Sequence, residues 1–284
     1  MIKEWIGRYN PKSRADYEQA LKEIMQEIAL AGLYRTDFFK VAAFYGGTAL
    51  RILHGLDRFS EDLDFSLLEP MNDFDFEPYL LGISREFDSF GIKVEVRQKL
   101  KGKVSDIDSA FLKSNTFWNE IFLTLSEKDE IFNIKPNIKI KIEVDTQPPM
   151  GFRTEEILLL RPYSFYVKSY LLPDLFAGKI HALLFRKWKN RVKGRDWYDM
   201  DWYIRKGTSI NLTHLRIRAI ESGDWDSSIQ LDRIKLLELL QEKIRTTDME
   251  LIKQDVRPFI DSDNSLRIWS EPYFTDIIKH LKAE

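Results

Sequence analysis

The 284-residue chain contains no cysteine. That excludes disulfides, thiolate metal sites and cysteine nucleophiles. Histidine is scarce as well: His54, His181, His214 and His280 are scattered, without the spacing of a zinc site. The metal these absences leave open is a hard, oxygen-bound cation, Mg2+ or Mn2+. An excess of charge of one sign is also missing. Lysine and arginine number 43 against 45 acidic residues, a net charge of −2, so no global field draws nucleic acid in and such a partner needs a local basic patch. No apolar run reaches the roughly 18 residues that begin to suggest a membrane span. Met1–Asn10 carries Lys3, Glu4 and Arg8 without an apolar stretch. The expectation is a chain with no leader and no membrane segment, resident in the cytoplasm. Internal repeats, low-complexity tracts and long linkers are absent too.

What is present is the composition of a globular protein, 44% hydrophobic and 31% charged, with 19 Phe, 11 Tyr and 7 Trp for an aromatic-rich core. The length suits one large domain or two small ones. Ser13 and Asp16 open a helix whose apolar positions run Tyr17, Leu21, Ile24, Met25, Ile28 and Ala31, with Gly32 as its expected end. A short helix or turn over 37–43 leads to a buried Phe44-Tyr45 segment, and a further helix is expected from Thr48 to Leu53. Strands are expected at Asp62–Leu67, Ile92–Leu100, Phe117–Leu125 and, most clearly, Asn137–Thr146, where Ile138, Ile140, Ile142 and Val144 alternate with Lys139, Lys141, Glu143 and Asp145. A helix fills Phe76–Phe90. Past about Tyr170 strand signals fade, and helices are expected at Pro173–Trp188, Arg195–Arg205, Leu212–Ser222, Leu231–Thr246 and Ser265–Leu281. The reading is a mixed α/β first half and a helical second half.

The stretch with the most chemistry is Gly46-Gly47-Thr48-Ala49-Leu50 followed by Arg58-Phe59-Ser60-Glu61-Asp62-Leu63-Asp64-Phe65. A glycine turn entering a helix offers backbone N–H groups to a phosphate. Asp62 and Asp64, two apart on a strand, point to one side. Two ionised carboxylates this close repel each other unless a cation offsets them. Together these features suggest a site for a nucleoside triphosphate and its metal. Glu143, or Asp145 nearer the strand end, is the candidate third carboxylate, since two-metal phosphoryl transfer uses bridging carboxylates; the alternative for both is a polar sheet face neutralised by Lys139 and Lys141. Thr48 donates to a phosphate, caps its helix, or does both, and Arg58 and Ser60 either contact phosphate or position their loop. Lys179, Leu183 and Arg186 share a helix face, as do Asp196, Asp199, Met200 and Tyr203. Between them Arg186, Lys187, Lys189, Arg191, Lys193 and Arg195 form a local basic run around Trp188, suited to a triphosphate or an RNA backbone unless it is only a solvated loop.

In this order, Gly46-Gly47-Thr48-Ala49-Leu50, Arg58-x-Ser60-x-Asp62-Leu63-Asp64-Phe65, Lys179-x-x-Ala182-Leu183 and Arg195-Asp196-x-Tyr198-Asp199 resemble the AbiEii/AbiGii-type nucleotidyltransferase toxins, whose relatives include the MenT toxins. The resemblance spans about residues 40–205. It implies an α+β fold: a polymerase-β-like nucleotidyltransferase core with a mixed sheet and an N-terminal helix over residues 1–165, then a helical domain over 166–284 that completes the active site. It implies that Gly46, Gly47, Thr48, Asp62 and Asp64 hold the NTP and Mg2+, that Lys179 contacts phosphate, and that Asp196 belongs to the same site. Ser60 matches a position phosphorylated in some relatives. It further implies a toxin of a bacterial toxin–antitoxin or phage-defence (abortive infection) pair, a cognate antitoxin with a DNA-binding domain, and, as in some relatives, a tRNA 3′ end as acceptor. The rivals are a small-molecule or protein acceptor, and a non-catalytic nucleotide-binding protein. The tail from about Thr208 to Glu284 matches no recognised pattern.

Overall fold

The computed structural model describes residues 2–98, 116–124, 137–186, 192–260 and 262–284. It is a mixed α/β structure. In chain order the elements are α1 (Ile2–Gly7), α2 (Arg14–Arg35), β1 (Ala42–Tyr45), α3 (Gly46–His54), β2 (Asp62–Leu67), α4 (Glu77–Ser89), β3 (Val94–Gln98), β4 (Thr116–Thr124), β5 (Asn137–Asp145), β6 (Thr154–Leu159) and β7 (Phe165–Tyr170). They are followed by α5 (Leu172–Phe185), α6 (Gly194–Lys206), β8 (Ser209–Ile210), α7 (Leu212–Glu221), α8 (Arg233–Thr246), α9 (Met249–Val256), α10 (Glu271–Ile277) and β9 (Lys282–Ala283). Two compact units result: Met1–Gly55, Phe59–Pro148 and Glu155–Ser169 form the first, and Leu56–Arg58, Pro149–Thr154 and Tyr170–Glu284 the second. Among the described residues no helix is long and apolar enough to cross a membrane.

The first unit is built on a mixed seven-stranded sheet in the order β3-β4-β5-β2-β1-β7-β6. β2 runs antiparallel to β1 and parallel to β5, and β1 runs parallel to β7. β5 forms for the reason its sequence states: Ile138, Ile140, Ile142 and Val144 are buried, while Lys139 between them is exposed. Leu63, Phe65 and Leu67 do the same for β2. Phe38, Phe44, Phe65 and Phe76 fill the core beneath, with Phe38 edge-on to Phe65 at a ring separation of 5.0 Å.

α2 starts where its cap predicts. The Asp16 amide donates to the Ser13 hydroxyl at 3.1 Å and the Ser13 amide returns a bond to the Asp16 carboxylate at 3.0 Å. It does not stop at Gly32. The helix continues to Arg35, and Gly32 is an internal packing position facing α4. A Cβ at Gly32 would stand 2.7 Å from the Ile83 Cα and 3.1 Å from the Gly82 carbonyl oxygen. A pair of glycines at a helix crossing, rather than a helix terminus, accounts for both residues. β6 and β7 are strands the sequence reading does not place. Phe165 and Val167 are buried around exposed Tyr166, and the Ser169 hydroxyl donates to the Phe44 carbonyl at 2.9 Å.

The second unit is helical, with a two-stranded parallel pair, β8 and β9. Phe176 of α5 stacks on Tyr203 of α6 at 4.3 Å. Phe274 of α10 packs edge-on to Trp197 and Trp269. Two helices are shorter than their periodicity suggests. α5 ends at Phe185, where Arg186 turns extended, so the expected continuation to Trp188 fails at its first step; Lys187 and Trp188 lie outside the described residues. The expected helix over 265–281 is three pieces: a 3-10 turn at Asp263–Ile268, α10, and a 3-10 turn at Ile278–His280. Ser270 breaks it, its hydroxyl accepting from the Tyr273 amide at 3.3 Å, and Pro272 in the first turn needs no N–H partner.

Candidate active site

In the first unit β1 runs directly into α3 through Gly46. Tyr45 is extended, Gly46 has φ +84, and the Tyr45 side chain makes no capping bond at the start of α3, a geometry in which first-turn N–H groups suit a phosphate. Gly46 has a second reason to be glycine: a Cβ there would lie 2.4 Å from the Asp64 Oδ2. The helix start and the second carboxylate are therefore in van der Waals contact. Gly47 is buried just behind. Thr48 is fully buried, and its hydroxyl donates to the Asp62 carbonyl. That bond ties the third residue of α3 to the backbone at the start of β2.

Asp62 and Asp64 share one face of β2 and are half-buried, while Leu63 between them is fully buried on the other. The parallel register sets Asp62 opposite Lys141 and Asp64 opposite Glu143, with Tyr45 across β1 from Asp64. Asp145 lies opposite Ser66 and turns its carboxylate to the Gln147 amide at 3.0 Å. Glu143 is ion-paired to Lys141. Among the described residues no three acidic or histidine side chains converge as a metal cluster, so the expected trio Asp62, Asp64 and Glu143 is not preassembled. The chemistry of the pair Asp62 and Asp64 still fits Mg2+, a hard cation that takes one or two carboxylates and fills its shell with water and phosphate oxygens. Sequence reasoning missed Gln26. This residue of α2 is 1% exposed and donates to the carbonyls of Ser60 and Glu61 at 3.1 and 2.9 Å, holding the loop that enters β2. Its signal was an amide among the apolar residues Ile24, Met25 and Ile28. Ser60 itself is half-buried.

The second unit gathers Arg58, Lys179, Asp196 and Asp199. Arg58, expected at a phosphate, is instead 2% exposed, and its Nε and Nη2 donate to the two Asp199 oxygens at 2.6 and 2.7 Å. Lys179 Nζ lies 2.7 Å from Asp199 Oδ2 and 3.7 Å from Asp196 Oδ1. Burial alone would raise the Asp199 carboxyl, but the charges of Arg58 and Lys179 and their hydrogen bonds hold it below the usual range. Asp199 was legible as the i+3 neighbour of Asp196, but nothing in the spacing said it would be the fully buried hub.

Arg186, Lys193, Asp196, Trp197, Lys243 and Leu251 line a cavity of about 320 Å³ in the same unit. Burial pushes the Lys193 ammonium down to about 8 against the pull of Asp196. Arg195 stacks over the Phe259 ring at 4.1 Å. Lys187, Trp188, Lys189 and Arg191, the centre of the basic run, lie outside the described residues.

His181 and His214 are packing residues with a pH signature. His181 contacts the Ser222 hydroxyl at 3.0 Å, His214 donates to the Met150 carbonyl at 3.0 Å, and burial pushes both rings down to about 3. The unfolded chain takes up protons at these residues near 6.5 and the fold does not, so their stabilisation is complete above that pH and is lost as pH falls towards 3. Glu27, raised by burial from 4.5 to about 7, works in the opposite sense, its contribution being lost as pH rises through 7. Two imidazoles outweigh one carboxyl between roughly pH 4.5 and 6.5, each worth up to about 1.4 kcal/mol per pH unit. The expected outcome is a melting midpoint that falls from pH 7 to pH 4.5, and falls less steeply in a His181→Gln/His214→Gln double variant, as differential scanning fluorimetry across that range would record.

A family model described as the nucleotidyl transferase AbiEii toxin of a type IV toxin–antitoxin system matches residues 28–279. No curated protein matches the chain. Among solved structures the chain is similar to two from Helicobacter pylori. One, a protein assigned as a nucleotidyltransferase, is 16% identical with a TM-score of 0.49, the match covering 89% of this chain and 88% of that one. The other, JHP933, is also 16% identical with a TM-score of 0.49, the match covering 92% and 88%.

Proposed function

Because the chain belongs to the AbiEii nucleotidyl transferase toxin family of type IV toxin–antitoxin systems, we propose that it transfers a nucleoside monophosphate from an NTP to an acceptor hydroxyl, the tRNA 3′ end, in a Mg2+-dependent reaction. In this reaction the hydroxyl oxygen bonds to the α-phosphorus, the bond to the β-phosphate bridge breaks, pyrophosphate leaves, and the hydroxyl proton passes to a base. The observation that carries the reading is the start of α3, which the Tyr45 side chain does not cap, lying against Asp64, on the same strand face as Asp62. Phosphate meets backbone N–H groups at Gly46, Gly47 and Thr48. Asp62 and Asp64 hold the cation, with Glu143 as the third carboxylate once it leaves Lys141. When bound, the cation polarises the α-phosphate and neutralises charge on the leaving group. Glu143 takes the proton directly or orients the hydroxyl. Lys179 neutralises phosphate charge in the transition state, with Asp196 in the same site. Arg186 and the basic run contribute further positive charge. The division into a nucleotide-binding core over 1–165 and a helical domain over 166–284 that completes the site, residence in the cytoplasm, a part in phage defence, and an antitoxin with a DNA-binding domain belong to the same proposal.

The test is direct. Each α-³²P-labelled NTP is incubated with the protein, Mg2+ and total RNA together with a protein and small-molecule extract, and the labelled pool is identified. The expected result is label in tRNA from a preferred NTP, abolished by EDTA. Label in the protein or small-molecule fraction would replace the acceptor while keeping the chemistry. No label in any pool, with NTP binding indifferent to Mg2+, would replace transfer by simple nucleotide binding.

A further inference from the structure

The tetrad in the helical unit holds one feature that nucleotide binding leaves unexplained: its arginine is buried. Arg58 and Asp199 are 2% and 0% exposed, and Arg58 engages both carboxylate oxygens, whereas Lys179 is 16% exposed and shares only Oδ2. We infer that Arg58 and Asp199 form a positioning pair for Lys179: the guanidinium fixes the carboxylate, and the carboxylate fixes the ammonium. This rests on the proposed role of Lys179 at phosphate.

The argument is geometric. A carboxylate held in a bidentate fork by a planar guanidinium has no rotational freedom left. Its Oδ2 then presents one fixed acceptor to a side chain that otherwise samples many rotamers, and ordering a lysine costs on the order of 1–2 kcal/mol. The fork also balances charge. Arg58 neutralises Asp199, so Lys179 is not the carboxylate's only counter-ion. Asp196 at 3.7 Å is an ion pair too long for a hydrogen bond. An ammonium has three N–H donors, and the two carboxylates take at most two. Lys179 is thus held at one point and keeps a donor for a phosphate oxygen. Arg58 and Asp199 are positioning residues, neither touching substrate.

A double-mutant cycle separates this from an Arg58 that binds nucleotide. The proteins are wild type, Arg58→Gln, Asp199→Asn, the double variant, and Arg58→Lys, which keeps the buried charge if the neutral variants fold poorly. Each is checked by circular dichroism. Two readouts are taken: kcat and KM for NTP in the transfer assay, and the rate at which trinitrobenzenesulfonate labels Lys179, mapped by mass spectrometry. The expected result is a fall in kcat of about 10- to 100-fold in each single variant, in the range a misplaced catalytic group produces, with KM for NTP nearly unchanged. The double variant is no worse than the single variants. Asp199→Asn also labels faster at Lys179, and Arg58→Lys falls between wild type and Arg58→Gln in both readouts. Single effects that multiply in the double variant, a raised KM in Arg58→Gln alone, or Lys179 labelling that Asp199→Asn leaves unchanged would overturn the inference. If the wild type transfers no nucleotide to any acceptor, the proposed function fails, and the labelling rates decide the positioning role on their own.

Discussion

Asparagine at Asp62 or Asp64 is expected to lower nucleotidyl transfer by on the order of 10³-fold while leaving the fold intact. Each substitution keeps the side-chain shape and removes the charge that would hold a divalent cation. Metal stabilisation of transition-state charge is worth several kcal/mol, and roughly 4 kcal/mol is a thousandfold in rate. The structural cost is small because both side chains are half-buried on the polar face of β2, whereas the strand is anchored by Leu63, Phe65 and Leu67 on the other. The two ionised carboxylates also repel each other, so the melting midpoint should stay level or rise, the trade between stability and function common at active sites. A readout independent of turnover follows from linkage. Mg2+ with a non-hydrolysable NTP at a hundredfold excess over Kd should stabilise the wild type by about 2.7 kcal/mol, and Asp64→Asn should lose most of that shift. Transfer at the wild-type rate by either variant would remove Asp62 and Asp64 from the metal site.

The second large effect is expected at Gly46. Gly46→Ala places a methyl group 2.4 Å from the Asp64 Oδ2 at a backbone φ of +84. The left-handed conformation costs a non-glycine residue roughly 1–2 kcal/mol. The clash is relieved only by moving the carboxylate or the first turn of α3, and a displacement near 1 Å at a reacting centre costs about 10²-fold in rate. Gly55→Ala is the control. Gly55 ends the same helix with φ +74, but a Cβ there meets nothing within 4 Å. Both variants should lose similar stability, measured by urea denaturation, and only Gly46→Ala should lose transfer. Equal activity in the two would show that Gly46 serves the turn alone.

Much of this was legible in the chain. The capping pair Ser13 and Asp16, the alternation along β5 and the bounds of β2 depend on residues a few positions apart, and the structure keeps them. The α/β first half and helical second half follow from the same local periodicities. β6 and β7 were not legible because β7 earns its place by pairing with β1, far away in sequence. Gly32 and Ser270 were misread for opposite reasons. A glycine that normally ends a helix is kept inside α2 by a close crossing with Gly82, and a helical run of residues is cut by one hydroxyl that caps a new start.

By itself, then, the sequence determined the family, the mixed α/β to helical order, and the pair Asp62 and Asp64 on one strand face, because strand periodicity and motif order are properties of neighbouring residues. Only the tertiary structure decided that Glu143 rather than Asp145 stands opposite Asp64, that Gly46 rests against that carboxylate, and that Arg58 is buried on Asp199. Strand register and the pairing of an arginine with a carboxylate 141 residues away are fixed by which apolar surfaces pack together, and no local pattern carries that information.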